Sequence, residues 1–222
     1  MNKTGKLFSL ENTLASELLE NSEYPHLALI HLRDHIIRLG KTLDCQRFIN
    51  PEEGIWIAKT ARVASSALIC GPCIIDENAE IRHCAFIRGS AIIGKNAVVG
   101  NSTEIKNSIL FDGAQTPHYN YVGDSILGFK AHLGAGAITS NLKMDRSFVS
   151  VCYGEELIRT ENRKIGAFVG DMSEIGCGCV LNPGSVIGKN TCVYPLTSVR
   201  GYIPSGCIVK DINTVEKKLP HC

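Results

Sequence analysis

Along most of this chain the apolar positions recur every six residues. Ile57, Val63, Ile69, Ile75, Ile81, Ile87, Ile93, Val99, Ile105 and Phe111 form one unbroken series. Four residues after most of these anchors comes a small side chain, among them Ala61, Ala67, Cys73, Ala79, Ala85, Ala91, Ala97 and Thr103. The register resumes at Tyr121, Leu127 and Leu133, and again at Val169, Ile175, Leu181, Ile187, Val193 and Val199. An α-helix cannot keep such a period on one face, because its turn does not divide six and the stripe would wander. A single strand would have to run for dozens of residues without turning. Stacked coils satisfy the pattern: each hexad is one short side, with the aliphatic residue inward and the small residue at the corner. The spacing predicts an all-β solenoid over residues 46–210.

The leader, residues 1–45, reads differently. Leu10, Leu14, Leu18 and Leu19 recur at helical spacing, and Pro25 suits the start of a second helix that Gly40 would stop. Two short helices are expected there. Within the solenoid, the run FDGAQTPHYN interrupts the register, and residues 139–164 are too long and too polar for a coil. The alternating segment Phe148 to Val151, then Gly154 and Leu157-Ile158, predicts a protruding hairpin arm. Long insertions on a rigid scaffold are where binding residues tend to sit. Residues 211–222 read as an exposed tail.

Composition narrows the function classes. The 222 residues carry a formal net charge of only +1, which argues against a nucleic-acid binder with a basic face. No apolar run is long enough for a membrane span, and the N-terminus lacks a secretory pattern. Ten cysteines without such a signal read as reduced thiols in a cytoplasm.

The repeated I-G-x-x-A-x pattern resembles the hexapeptide signature of the left-handed parallel β-helix. That resemblance implies a triangular prism with three hexads per coil, assembled as a homotrimer with sites in the grooves between subunits. More specific motifs follow. His118 to Asp124 (HYNYVGD), the G-A-G-x-I-T-x-N run from Gly134 to Asn141, the G-N-x-x-E-I-K run from Gly100 to Lys106, and Arg88 sixteen residues before Glu104 stand in order. Together they resemble the acetyltransferase domain of bifunctional N-acetylglucosamine-1-phosphate uridyltransferase/glucosamine-1-phosphate N-acetyltransferase. Asn141 to Asp145 and Arg163 to Asp171 resemble the C-terminal halves of archaeal-type sugar-1-phosphate nucleotidyltransferases.

The resemblance implies acetyl transfer from acetyl-CoA to glucosamine 1-phosphate or galactosamine 1-phosphate, a step toward UDP-GlcNAc. His118 would be the general base and the Ala135 backbone N–H the oxyanion donor. Arg88 and Lys106 would hold phosphate, Tyr121 and Asn141 the sugar, and Lys164 or Arg163 would close the anionic pocket. His132 stands where the family typically has asparagine and Leu142 where it has tyrosine, which leaves the acceptor sugar open. Ala135, Cys177, Pro195, Arg200 and Lys210 are the expected coenzyme contacts; no metal and no cysteine nucleophile are called for. No glycine-rich nucleotide loop precedes the repeats, so a separate nucleotidyltransferase would be the partner.

Two rival readings share the fold. A γ-class carbonic anhydrase would hold zinc on three histidines, for which His83, His118 and His132 are candidates, but its pair five residues apart is missing because position 123 is Gly. A non-catalytic scaffold could keep the prism alone. Cys70 and Cys73 form a CxxC without a second pair, a pattern that suits packing better than zinc.

Overall fold

A computed structural model describes residues 3–211 and 213–218. The chain winds into a parallel β-solenoid with three faces. The first face stacks Ile55–Ala58, Cys73–Ile75, Ala91–Ile93, Ser108–Leu110, Ile126–Leu127, Ala167–Val169, Ser185–Ile187 and Tyr202–Ile203, with Phe48–Glu52 antiparallel at its edge. The second runs from Arg62–Val63 through Glu80–Ile81, Val98–Asn101, Gln115–His118, His132–Leu133, Glu174–Ile175 and Cys192–Val193 to Cys207–Asp211. The third contains Leu68–Ile69, Phe86–Ile87, Glu104–Lys106, Tyr121–Gly123, Ile138–Thr139, Val180–Leu181 and Ser198–Val199.

The inward aliphatics Ile75, Ile81, Ile87, Ile93, Val99 and Ile105, with Ala79, Ala85, Ala91 and Ala97, form one continuous buried core. Each small residue follows a corner residue with left-handed backbone: Asn78, Cys84, Ser90, Asn96 and Ser102 have φ of 50–56°. A bulky side chain just after so tight a corner would collide with the coil above, which explains the small-residue slots.

The register departs from strict sixes earlier than the sequence pattern suggests. Leu110, not Phe111, pairs with Ile93 and joins the inner core; Phe111 points outward against Phe8. Val122, not Tyr121, is the inward residue of its strand, and Tyr121 faces out. Two sides are therefore one residue short, between Ile105 and Leu110 and between Val122 and Leu127. Their left-handed corners fall at Asn107 and Asp124, both where the third face turns into the first.

The first face is buried on both sides. Ile74, Ile92, Ile109, Ile126, Phe168 and Val186 project outward from it into a second apolar core. The leader covers them, in more pieces than the two expected helices: α1 (Lys3–Leu7), a 3-10 turn (Leu10–Asn12), α2 (Ser16–Glu20) and α3 (Pro25–Gly40). Leu29, Leu32 and Ile36 of α3 supply its apolar stripe.

The insertion does form a hairpin, Ser150–Tyr153 paired with Glu156–Arg159. It does not protrude: Val149, Val151 and Tyr153 pack into the second core beside Ser185–Ile187 and Tyr202–Ile203. Burying these apolar side chains favours the folded-back position over an arm in water. The leader holds it there, with His26 Nδ1 3.0 Å from the Tyr153 hydroxyl and Lys3 Nζ 2.8 Å from Glu156. The expected tail also folds in part: Thr214–Lys217 returns antiparallel on Cys207–Asp211. Its last residues, 219–222, lie outside the described ones. No helix among the described residues is long and apolar enough to cross a membrane.

Candidate active site

Polar side chains converge where the two short corners stack. The Asp124 carboxylate, almost fully buried, is the hub. Its Oδ1 accepts Lys106 Nζ and Asn107 Nδ2, each at 2.8 Å, and its Oδ2 accepts Asn141 Nδ2. Asn141 Nδ2 also donates to the Tyr121 hydroxyl at 3.2 Å. The Tyr121 ring lies over Gly123, where a Cβ would sit 2.5 Å from the phenol oxygen, so a side chain there would evict the ring. Burial, and then the Asp124 charge, push the Tyr121 phenol up, keeping it a neutral donor.

One coil away, Arg88 Nη1 donates to Glu104 Oε1 at 2.6 Å, and that bond raises the guanidinium further. The insertion closes on the same spot, because Ile165 N–H donates to the Asn141 carbonyl and Leu142 bridges Lys164. The structure thus gathers Arg88, Lys106, Tyr121, Asn141 and Lys164 at one edge. It adds Glu104, Asn107 and Asp124, whose roles the sequence reading did not assign although all three stand in or beside the quoted motifs.

A second line of residues runs along the corner between the second and third faces. Backbone bonds climb it: Ser102 N–H to His83 O, Tyr119 N–H to Asn101 O, Gly136 N–H to His118 O, Gly178 N–H to Ala135 O and Leu196 N–H to Cys177 O. His83, Asn101, His118, Ala135, Cys177 and Pro195 therefore occupy equivalent corners of successive coils. Buried Asn120 ties two of them, accepting the His118 N–H at 3.1 Å while its Nδ2 donates to the carbonyls of Gly134 (2.8 Å) and Ala137 (2.9 Å). Gly100 lets the chain pass, since a Cβ there would lie 1.6 Å from the Pro117 oxygen. His118, Ala135 and Cys177 are exposed. The Ala135 N–H makes no backbone hydrogen bond among the described residues.

Within one chain these two lines lie at opposite edges of the third face. Lys106 pairs in register with Gly123, five residues beyond His118 and past the corner at Tyr119, a separation of at most about 16 Å at the rise of a strand. The other candidates divide likewise. Lys210 lies at the His118 corner, next to Tyr194 in register, and is bonded to Glu216 at 2.7 Å. Arg200 lies at the cation edge, lining a cavity of about 540 Å³ with Ser140, Leu142 and Asn182. His132 sits on the second face, its Nδ1 2.8 Å from Glu174 Oε2. No group of three or more metal-ligating side chains converges among the described residues.

Comparison with known proteins matches this core. Residues 69–158 fit the family model described as GMPPB C-terminal domain. A bifunctional sugar-1-phosphate nucleotidylyltransferase/acetyltransferase of Sulfurisphaera tokodaii is 36% identical over 92 residues, 41% of this chain and 23% of that protein. Over this stretch the chain is similar to hexapeptide acyltransferase domains. A bifunctional protein GlmU of Methanococcus maripaludis (strain C5) is 39% identical over 90 residues, 40% of this chain and 22% of that protein. The uncharacterized acetyltransferase YaiX of Escherichia coli O6:K15:H31 is 35% identical over 103 residues, 46% of this chain and 45% of its own. The chain thus spans less than half the length of these relatives. Among solved structures, a putative acetyltransferase from Desulfovibrio desulfuricans G20 aligns over 83% of this chain and 30% of its own, with 20% identity and a TM-score of 0.42. A GDP-perosamine N-acetyl transferase variant from Caulobacter crescentus, solved with CoA and GDP-perosamine, covers 69% of this chain and 51% of its own at 18% identity and a TM-score of 0.31. The matched stretch, residues 69–158, includes Arg88, Lys106, His118, Ala135 and Asn141, from both edges of the third face.

Proposed function

We propose that this chain transfers the acetyl group of acetyl-CoA to the amine of an amino-sugar 1-phosphate, with His118 as general base. The observation that carries the reading is the corner column. His118 presents an exposed imidazole, and the next coil presents the Ala135 N–H without a backbone partner. Attack of the amine on the thioester needs a proton acceptor for the nitrogen and a fixed donor for the oxyanion, and adjacent coils supply both. Cys177, Pro195 and Lys210 continue the same corner and would line the coenzyme.

Arg88 and Lys106 would bind the sugar phosphate. Each is already paired with a carboxylate, so the phosphate shares an organised cation rather than ordering a loose one. Because these cations sit across the third face from His118, the complete site is read as one formed between copies in a homotrimer. A nucleotidyltransferase would consume the product.

The test is thiol release from acetyl-CoA with glucosamine 1-phosphate and with galactosamine 1-phosphate. Turnover with either is expected, and His118→Ala should slow it by roughly 10²–10⁴-fold. Absence of thiol release with every amino-sugar phosphate would leave the prism as a scaffold and sink this reading.

A further inference from the structure

Two coils before His118 on the same corner, three side chains that the proposed transfer does not use meet at hydrogen-bond distance. Ser66 Oγ lies 2.6 Å from His83 Nδ1, and Cys84 Sγ lies 3.3 Å from His83 Nε2. Neighbouring strand residues normally point to opposite faces. The left-handed corner at Cys84 (φ 56°) breaks that alternation and lets its thiol reach the adjacent imidazole. Ser66 Oγ also accepts the Cys84 N–H at 3.3 Å, so one hydroxyl fixes both the ring and the thiol-bearing backbone. All three residues are exposed, and His83 lines a groove of about 730 Å³ with Arg62, Glu80 and Arg82.

We propose that Ser66, His83 and Cys84 form a reactive-thiol site at which Cys84 is oxidised by a peroxide. The bonding pattern has one productive arrangement. In that arrangement His83 carries its proton on Nδ1, and Ser66 Oγ, which can accept two hydrogen bonds, takes the Cys84 N–H and the Nδ1–H together. Nε2 then presents its lone pair to the Cys84 S–H and can take that proton, while Ser66 continues to accept from Nδ1. The pattern is a nucleophile, a base and a group orienting the base. The thiolate is the reacting form of cysteine, and exposure admits the oxidant.

In the oxidation, the Cys84 sulfur attacks one oxygen of hydrogen peroxide. The S–O bond forms as the O–O bond breaks, and the departing hydroxide takes the proton held on His83 to leave as water. Cys84 becomes a sulfenic acid, and a small thiol can then condense with it to a mixed disulfide, releasing a second water. At the strand spacing of about 4.8 Å, two coils place this site roughly 10 Å from His118.

The exposed thiols Cys45, Cys70 and Cys177 provide internal controls in the same molecule. The full-length protein, in its native assembly, is treated with a limiting amount of iodoacetamide, and the rate at each cysteine is read by peptide mass spectrometry. Cys84 should react at least about tenfold faster than Cys45, and His83→Gln should remove that advantage. Ser66→Ala should lower it several-fold. Hydrogen peroxide followed by dimedone should mark Cys84 in the wild type and not in His83→Gln. A Cys84 rate no greater than that of Cys45, or one unchanged in His83→Gln, would overturn the proposal. None of these readouts depends on acetyl transfer.

Discussion

Replacing Asp124 with asparagine tests the hub of the cation edge without changing its shape. Asparagine tolerates the left-handed backbone found there (φ 49°), so the corner itself should survive. The carboxylate offers two acceptors to three donors, from Lys106, Asn107 and Asn141. An amide keeps one acceptor and puts an NH2 in place of the other. If the retained oxygen faces Lys106 and Asn107, the new NH2 opposes the Asn141 amide, which can recover one bond by turning over. The charge opposite Lys106 is lost in either orientation. A hydrogen bond to a charged partner contributes about 1.5–3 kcal/mol, and the Lys106 side chain is 25% exposed, which screens part of this. We expect a loss of about 2 kcal/mol, or roughly 4–8 °C in melting temperature for a domain of this size. Calorimetry on wild type and Asp124→Asn measures it. A shift under about 1 °C would show that Asp124 and Lys106 are not coupled and would refute the reasoning.

Other consequences follow from the same contacts. Arg88→Ala and Lys106→Ala should chiefly raise the Michaelis constant for the sugar phosphate in the thiol-release assay; an unchanged constant in both would misplace the phosphate pocket. Burial lowers His26 from 6.5 to about 4, so it folds neutral while the unfolded chain takes up a proton. Stability from this group is present above pH 6.5 and is lost as pH falls toward 4. Melting temperature should therefore drop more over that window in wild type than in His26→Gln, and parallel curves would refute the assignment. Ile92→Ala should cost about 2–5 kcal/mol in urea unfolding although Ile92 points out of the prism, because it is fully covered. A cost typical of an exposed site would mean that leader and hairpin do not seal the first face.

The solenoid was legible because its signal repeats: each inward aliphatic and each small corner residue is constrained by the same coil geometry. A single missing residue is not, since Leu110-Phe111 and Tyr121-Val122 both offer two large side chains where one points inward. Sterics within the stack decide between them, and adjacent sequence does not. The position of the hairpin does have a signal in the sequence. Trp56, Ile74 and Ile92 stand eighteen apart, each just before an anchor, and mark one face as apolar on its outside. Val149, Val151 and Tyr153 alternate in a way that suits a strand lying upon it. At the candidate site, the motif residues lie along two lines. Their separation across the third face was not legible, because distance around a coil is invisible to spacing along the chain.

The shortened sides have a consequence for how such a protein changes over time. In a regular prism every rung is interchangeable, and nothing in the geometry says which one should carry chemistry. Dropping one residue from two successive rungs gives the stack an address, a place where polar side chains crowd and where a long excursion can leave and rejoin. Restoring a residue after Asn107 would make that rung ordinary again and pull apart a cluster whose members need not themselves be altered.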